Sequence, residues 1–237
     1  MKTWLVTDAP AEGALEGVEL VCAGSGTEIT KRLETVLHQV TAKYILLTLD
    51  DYFLTDPIDN KASQGALAVM EAENLDYLRL LPATRRNLRR EGAKELPGYP
   101  GFFLRDVHTG NYKISLCPGL WRADFMRNTL GASQNAWEYE VALTPMASEM
   151  NARCAVSNHN EFPYLDVVRK GKILHKADRY FRKDPVLHTD RKVMSAAENL
   201  KYTLRGKLHY WLPKPVLNLA KRILAPLGIK FYSPADR

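Results

Sequence analysis

Residues Tyr44-Ile45-Leu46-Leu47-Thr48-Leu49-Asp50-Asp51 decide the fold class of this chain. Their apolar run predicts a strand buried on both faces, with two carboxylates where the strand ends. A helix is expected before it, because apolar residues recur at helical spacing from 33 to 40 after Ser25-Gly26-Thr27-Glu28, which has the form of a capping box. Short apolar runs at 3–7 and 18–23 predict two earlier strands. Strand, helix and strand in this order indicate a mostly parallel sheet.

The chain after this stretch continues the alternation of helices and strands. Asp56-Pro57 predicts a helix start, and residues 77–81 and 112–116 predict strands. Residues 82–110 lose periodicity and are expected to form a loop over one edge of the sheet. Two further helices are expected, one carrying Trp121, Phe125 and Met126 and one beginning near Ser133. We therefore predict an α/β domain over residues 1–190, a mostly parallel, Rossmann-like sheet flanked by helices.

Composition places the chain among ordinary folded proteins. It has 237 residues, of which 46% are hydrophobic and 25% are charged. Its three cysteines, Cys22, Cys117 and Cys154, are scattered without a CxxC pair, so neither a disulfide framework nor a zinc knuckle is expected. The start lacks the pattern of a signal peptide, and no window has the roughly 18 apolar residues of a spanning helix. These features indicate a reducing, cytoplasmic location.

Positive charge is concentrated at the C-terminus. Residues 191–237 contain ten Lys or Arg and two acidic residues, a net +8, which leaves −2 for residues 1–190. Apolar residues after Pro215 recur at helical spacing, which predicts a basic amphipathic helical segment. Such a helix can lie on the headgroups of an anionic membrane. For this chain the expected surface is the inner face of the cell membrane. Its apolar face could equally pack on the protein's own core.

Asp50 and Asp51 are the first candidate site. Ligands of open α/β sheets bind outside the carboxyl ends of strands, which is where these residues are expected. Two adjacent carboxylates repel each other unless a cation or hydrogen bonds stabilise their charge, so a divalent metal is one explanation. The alternative is that one carboxylate caps the next turn and the other is solvated.

Several phosphate chemistries are excluded by motif. A haloacid dehalogenase-type phosphatase needs Asp-x-Asp, but Tyr52 occupies the second position. Neither a GxxxxGK[ST] phosphate loop nor a GxGxxG after the first strand occurs. The kinase and dinucleotide-binding interpretations therefore lose their main support.

A second acidic segment, Trp137-Glu138-Tyr139-Glu140, could supply a general base. On a helix, Glu138 and Glu140 would lie about 200° apart, so only one should face a given cleft. A carboxylate beside a tryptophan in a partly dry cleft has its pKa raised toward the range of a base. The alternative is an ordinary helix start, where glutamate is favoured by the helix dipole.

Four segments in this order resemble bacterial glycosyltransferases of the GT-A type from surface-polysaccharide clusters. The resemblance spans about residues 3–164. The matching segments are TEITKRLETVLHQVTAKYILLTLDDYFL (27–54), YLRLLP (77–82), YKISLCPGLWRADFM (112–126) and NAWEYE (135–140).

The resemblance implies a nucleotide-sugar donor, a Mn²⁺ or Mg²⁺ ion held by Asp50 and Asp51, and a catalytic carboxylate from Glu138 or Glu140, with Glu138 preferred. It also implies a saccharide or lipid-linked acceptor, and His159 or His175 as a further metal ligand. The first strand and helix of the GT-A pattern are expected to be missing or abbreviated, because residues 1–8 resemble its second strand. The implied donor-binding residues are Asp8, Arg32, Asp50, Arg79 and Trp121.

Two other functions remain open at this level. One is a non-catalytic subunit that binds a nucleotide sugar or assists assembly. The other is a nucleic-acid-binding protein that uses the arginines at 85–90 and the tail. The second ranks last because no nucleic-acid-binding module is recognised, and no nucleic-acid partner is therefore expected.

Overall fold

The computed structural model of the chain describes residues 2–10, 13, 16–159, 162–183 and 190–211, with side chains as far as residue 204. Its residues divide into two compact units, Met1–Tyr164 and Leu165–Arg237. The predicted tail helix after Pro215 lies outside the described residues. The division expected after residue 190 therefore stays a prediction. None of the described helices is long and apolar enough to cross a membrane.

The first unit is mixed α/β. In chain order its elements are β1 (Thr3–Thr7), β2 (Val18–Cys22), α1 (Ile29–Leu37), β3 (Tyr44–Leu47), β4 (Tyr52–Leu54), α2 (Asn60–Ala72), β5 (Tyr77–Arg79), α3 (Arg85–Arg90), β6 (Lys94–Leu96), β7 (Tyr99–Arg105), β8 (Gly119–Arg122), α4 (Ala123–Thr129), α5 (Ala136–Glu149) and β9 (Cys154–Ser157). Strand β10 (Tyr164–Asp166) spans the division between the units, and β11 (Val168–Arg169), β12 (Lys172–Ile173), α6 (His175–Phe181) and α7 (Ala196–Trp211) follow.

The main sheet is mostly antiparallel, so the prediction of a mostly parallel sheet was wrong. Its six strands run in the order β3-β8-β5-β9-β7-β6, and only β5 and β9 pair in parallel. Strand β8 returns from a distant part of the chain and inserts between β3 and β5, antiparallel to both. Local periodicity carries no information on such a long-range pairing. Strands β1 and β2 do pair in parallel, at the positions expected.

Strand β3 shows a second difference. It was expected to be buried on both faces, but it lies at one end of the strand order and its four residues are all half-buried. Residues 82–110 also differ from the expected loop, since they contain α3 and the β6–β7 hairpin that extends the opposite end of the sheet. Residues 112–116 are not a strand, and Trp121 lies in β8 rather than in a helix.

Helix starts depend on individual capping side chains. The capping box expected at Ser25 is not formed: Glu28 is the N-cap of α1 and its side chain makes no capping bond. Helix α2 starts later than Asp56-Pro57, because Asp59 accepts a hydrogen bond from the Lys61 backbone N–H. The helix expected near Ser133 starts at Ala136.

Two apolar clusters cover the two faces of the sheet. Neighbouring residues of a strand point to opposite faces, and accordingly Tyr77 and Trp121 belong to one cluster while Leu78 and Leu120 belong to the other. Helices α1, α4 and α5 supply the first cluster, and α2 supplies the second. The unit therefore has three layers, with helices on both faces of the sheet.

Gly119 marks a close approach between β8 and β5. A Cβ added there would lie 2.9 Å from Tyr77 Cε2 and 3.1 Å from the Leu78 carbonyl oxygen. Gly119→Ala should therefore lower the free energy of unfolding by about 1–3 kcal/mol, the usual cost of overpacking.

Urea denaturation would measure this change. Gly65→Ala is the matched control, because Gly65 is inside α2 with open space around its Cα. That control should raise the free energy of unfolding by about 1 kcal/mol through helix propensity. Equal effects of the two substitutions would contradict the packing at Gly119.

Candidate functional site

The sheet register brings two predicted site segments to one edge. Leu47, the last residue of β3, and Arg79, the last residue of β5, both lie opposite Gly119 at the start of β8. The carboxyl ends of β3 and β5 therefore flank the same end of β8. Asp50 and Asp51 follow β3 after only two residues, so they lie at the same end of the sheet as Arg79. This convergence is the structural basis of the candidate site.

Asp50 and Asp51 occupy the turn between β3 and β4. Asp50 is exposed and Asp51 is half-buried. The Tyr52 backbone N–H closes this turn by donating to the Leu49 carbonyl over 3.1 Å. The Tyr52 hydroxyl lies 3.3 Å from Cys117 Sγ, which connects the turn to the loop before β8.

The donor chemistry of this pair fits a hard divalent cation. Carboxylate oxygens are preferred by Mg²⁺ and Mn²⁺, and Mg²⁺ is commonly held by one or two carboxylates plus substrate phosphates. Within the described part of the chain, no group of three or more His, Cys, Asp or Glu side chains could hold a metal by itself. An ion at Asp50 and Asp51 would therefore need further oxygen ligands from a bound phosphate.

The two histidines implied as a further ligand are engaged elsewhere. His159 Nε2 lies 2.8 Å from the Pro100 carbonyl, and His175 Nε2 lies 2.6 Å from the Met194 carbonyl. A carbonyl oxygen only accepts, so each Nε2 carries a proton and donates it. Neither Nε2 is thus available as a metal ligand in this arrangement.

The loop of residues 112–118 leads into Gly119, the strand partner of Arg79. The buried Tyr77 hydroxyl donates to the Ser115 carbonyl over 3.0 Å. Burial raises the pKa of Tyr77, and the nearby Cys117 raises it further. The phenol therefore stays protonated and keeps its role as a donor. This bond anchors the loop to β5.

Buried charges anchor the start of the same loop. Arg105 donates to the Lys113 carbonyl over 2.6 Å and to Glu91 Oε2 over 2.7 Å. Lys113 Nζ lies 3.6 Å from the same Glu91 oxygen. The side chains of Arg105 and Lys113 are only 5% and 4% exposed, so loss of Glu91 would leave two buried cations without this anion. The loop is therefore held in one conformation.

Helix α5 separates the roles of its two glutamates. Glu138 is exposed and completes a capping box with Asn135: the Asn135 side chain accepts from the Glu138 backbone N–H over 3.0 Å, and Glu138 accepts from the Asn135 backbone N–H. Glu140 is half-buried, and its Oε1 accepts from the Leu116 backbone N–H over 3.1 Å. Glu140 therefore faces the loop of the candidate site, whereas Glu138 stabilises the helix start.

An aromatic pair lies beside Glu140. The rings of Tyr112 and Trp137 are 6.3 Å apart, and the side chain of Trp137 is about half exposed. Burial raises the pKa of the Tyr112 hydroxyl, and the Glu140 carboxylate adds to this shift, which indicates that the two groups are close. Tyr112 has a positive φ of 57°, an uncommon conformation for a tyrosine.

The remaining predicted donor residues have different positions. Asp8, exposed after β1, forms an ion pair of 3.5 Å with the half-buried Arg32 of α1. Arg32 Nε also donates to the Thr27 carbonyl over 2.7 Å. Trp121 is fully buried, with its ring against Tyr77 and Phe125. The placement of Trp121 in a donor site is thus corrected: it is a core residue, because β8 lies between β3 and β5 and not at the end of the strand order.

Sequence reasoning missed three residues of this edge: Tyr52, Tyr112 and Cys117. Tyr52 was adjacent to the carboxylate pair and could have been included on that signal. Tyr112 lies in the segment predicted as a strand and Cys117 directly follows it, and only the folded loop brings them to the edge.

No protein-family model matches this sequence, and no curated protein matches it. The assignment of the site therefore depends on its own residues and geometry.

The capping box at the start of α5 predicts how substitutions there change the free energy of unfolding. Asn135→Ala removes the side chain that accepts from the Glu138 N–H, so it should lower the free energy of unfolding by about 1 kcal/mol. Glu138→Gln should change it by less, because glutamine also serves in a capping box.

Chemical denaturation of both variants would test the cap. Asn128→Ala is the control, since Asn128 is exposed inside α4 and its side chain has no hydrogen bond to the described residues. A loss for Asn128→Ala equal to that for Asn135→Ala would argue against the capping role.

Proposed function

We propose that this chain is a metal-assisted glycosyltransferase that moves a sugar from a nucleotide-sugar donor to a saccharide acceptor in the synthesis of a bacterial surface polysaccharide. The observation that carries the proposal is the common sheet edge of Asp50, Asp51, Arg79 and the loop bound by Glu140. At such an edge, Asp50 and Asp51 could hold a metal ion and Arg79 could bind phosphate. Glu140 could accept a proton from a hydroxyl group. The four ordered segments that resemble GT-A glycosyltransferases support the same assignment, including the GT-A-like form of the domain.

Donor binding is assigned to the β3 and β5 ends of the edge. Asp50 and Asp51 would hold Mn²⁺ or Mg²⁺ together with the donor diphosphate. When bound, the ion would offset the negative charge that develops on the leaving diphosphate. Arg79 offers a guanidinium for the same phosphates, since arginine matches phosphate oxygens in a fork geometry. Arg32, paired with Asp8, is also assigned to the donor.

Glu140 is assigned as the general base. Its carboxylate would accept the acceptor hydroxyl proton while the hydroxyl oxygen bonds to the anomeric carbon and the bond to the diphosphate breaks. The bond from Leu116 fixes the orientation of Glu140, and a carboxylate has further lone pairs to accept a proton. Glu138 is exposed and occupied as a cap, so the contacts favour Glu140 over Glu138.

The cellular setting belongs to the same proposal. The net +8 of residues 191–237 would attract the segment to the anionic inner face of the cell membrane. Such docking would place the site near a lipid-linked acceptor while the chain stays peripheral on the cytoplasmic side.

The assignment of the base predicts opposite outcomes for two neighbouring variants. Glu140→Gln should reduce kcat by about 100-fold or more, because removal of a general base costs at least that much. Glutamine can still accept the Leu116 N–H bond, so the loop should keep its conformation. Glu138→Gln is the matched control and should keep nearly full kcat.

Release of nucleoside diphosphate from the donor, in the presence of acceptor, would measure both rates. A loss in Glu138→Gln with normal turnover in Glu140→Gln would reverse the assignment.

Donor binding can be tested before the acceptor is identified. Thermal unfolding should be measured with a panel of nucleoside diphosphates and nucleotide sugars, with and without Mn²⁺, because a ligand of the native state raises its stability. At a concentration 100 times the Kd, the expected gain is about 2.7 kcal/mol. One nucleotide should stabilise the protein only with metal, and Asp51→Asn should abolish this effect.

The matched control for this measurement is Asp56→Asn, an exposed carboxylate in the same segment but beyond β4. Its response to nucleotide should equal that of the unchanged protein. No stabilisation across the panel would overturn the transferase assignment and favour a non-catalytic subunit that assists assembly without binding nucleotide.

A further inference from the structure

A cavity of about 530 Å³ lies outside the residues assigned above. Helix α3, the β6–β7 hairpin and the segment after β9 line it. Its volume is in the usual range for small-ligand sites. The polar lining residues are Arg85, Arg89, Glu95, Asn158 and His159.

Two guanidinium groups make the cavity positive. Arg85 and Arg89 are one helical turn apart, so both lie on the face of α3 that lines the cavity. Among the residues that the structure describes, neither side chain forms a hydrogen bond or an ion pair. Glu95 is the single carboxylate in the lining, and its Oε1 accepts from the Gly101 backbone N–H over 2.7 Å. The lining thus has an excess of one positive charge. It also presents two guanidinium groups, which can donate hydrogen bonds to phosphate oxygens.

The opposite wall of the cavity is built from fixed groups. His159 donates from Nε2 to the Pro100 carbonyl, and its ring packs 5.2 Å from that of Phe102. Gly101 makes this possible, because a Cβ on it would lie 2.1 Å from His159 Nε2. The Asn158 backbone N–H donates to the Gly101 carbonyl over 2.7 Å. The exposed side chains of Arg85 and Arg89 therefore line a cavity whose opposite wall has a defined shape.

The cavity belongs to the same sheet edge as the candidate site. Strand β9 runs parallel to β5, with Val156 opposite Arg79, and Asn158 and His159 follow directly after β9. Moving along the strand order from β3, the edge therefore presents first Asp50 and Asp51, then Arg79, then the cavity.

We propose that this cavity binds a phosphate or diphosphate group of the acceptor, with Arg85 and Arg89 as its ligands. That the cavity binds an anion is inferred from its lining residues alone. That the anion belongs to the acceptor rests on the proposed glycosyltransferase function. The group could belong to a lipid headgroup or to a soluble phosphorylated sugar, which share this chemistry.

Calorimetric titration of the full chain, without donor or metal, would test the anion site. The probes are inorganic pyrophosphate, dodecyl phosphate below its micellar concentration, and dodecyl maltoside as an uncharged analogue, all at one ionic strength. Arg85→Gln with Arg89→Gln should weaken binding of both anionic probes by at least about tenfold, since hydrogen bonds to charged groups are worth that much. Dodecyl maltoside should not bind measurably.

Arg86→Gln with Arg90→Gln is the matched control. It removes the same charge from the same helix, about 100° around the axis from the cavity, and these residues are not in its lining. Binding by this control should equal that of the unchanged chain. Equal weakening by both double variants, or no binding of either anion by the unchanged chain, would overturn the proposal.

Two comparisons extend the test to the source and the role of the anion. Tighter binding of dodecyl phosphate than of pyrophosphate would identify a lipid headgroup, and equal binding would identify a soluble phosphate; either result supports the anion site. The Arg85/Arg89 variant should keep the metal-dependent stabilisation by nucleotide. Loss of anion binding at the cavity can therefore be distinguished from loss of donor binding. Loss of nucleotide stabilisation in this variant would overturn the separation of the two sites.

Discussion

The antiparallel insertion of β8 between β3 and β5 is the constraint on which the rest of the first unit depends. Only a glycine at position 119 allows Tyr77 to pack against β8 at this point. In this register, Leu47 and Arg79 share Gly119 as their partner. Because β3 and β5 end opposite the same residue of β8, Arg79 and the two carboxylates after β3 are collected at one edge.

The loop before β8, residues 112–118, lies at this edge and is held in place by three groups of contacts. It is anchored from three directions: by the buried Tyr77 hydroxyl, by the Arg105 and Lys113 charges around Glu91, and by Glu140 from α5. A buried charge with a partner is costly to separate from it, so these anchors define one loop conformation. An edge with fixed walls can orient a substrate, which is a main source of catalytic rate.

Charge changes sign along the same edge. Carboxylates dominate at the β3 end, whereas Arg79 and then Arg85 and Arg89 follow toward β6. In the proposed transferase, this separation would place the donor diphosphate and a second anion at different positions along the edge. The proposed donor and acceptor positions follow this division.

The sequence by itself determined the α/β class, the positions of β1, β2 and β3, and the carboxylate pair at the end of β3, because these depend on apolar runs and their local boundaries. It also singled out Glu138 and Glu140 without deciding between them. Tertiary structure alone decided the antiparallel sheet, the burial of Trp121, the hairpin within residues 82–110 and the meeting of Tyr112 and Cys117 with the site. The reason is physical: strand order, and the face that a side chain presents, depend on pairing between segments distant in the chain, whereas hydrophobic periodicity records only each segment's own burial.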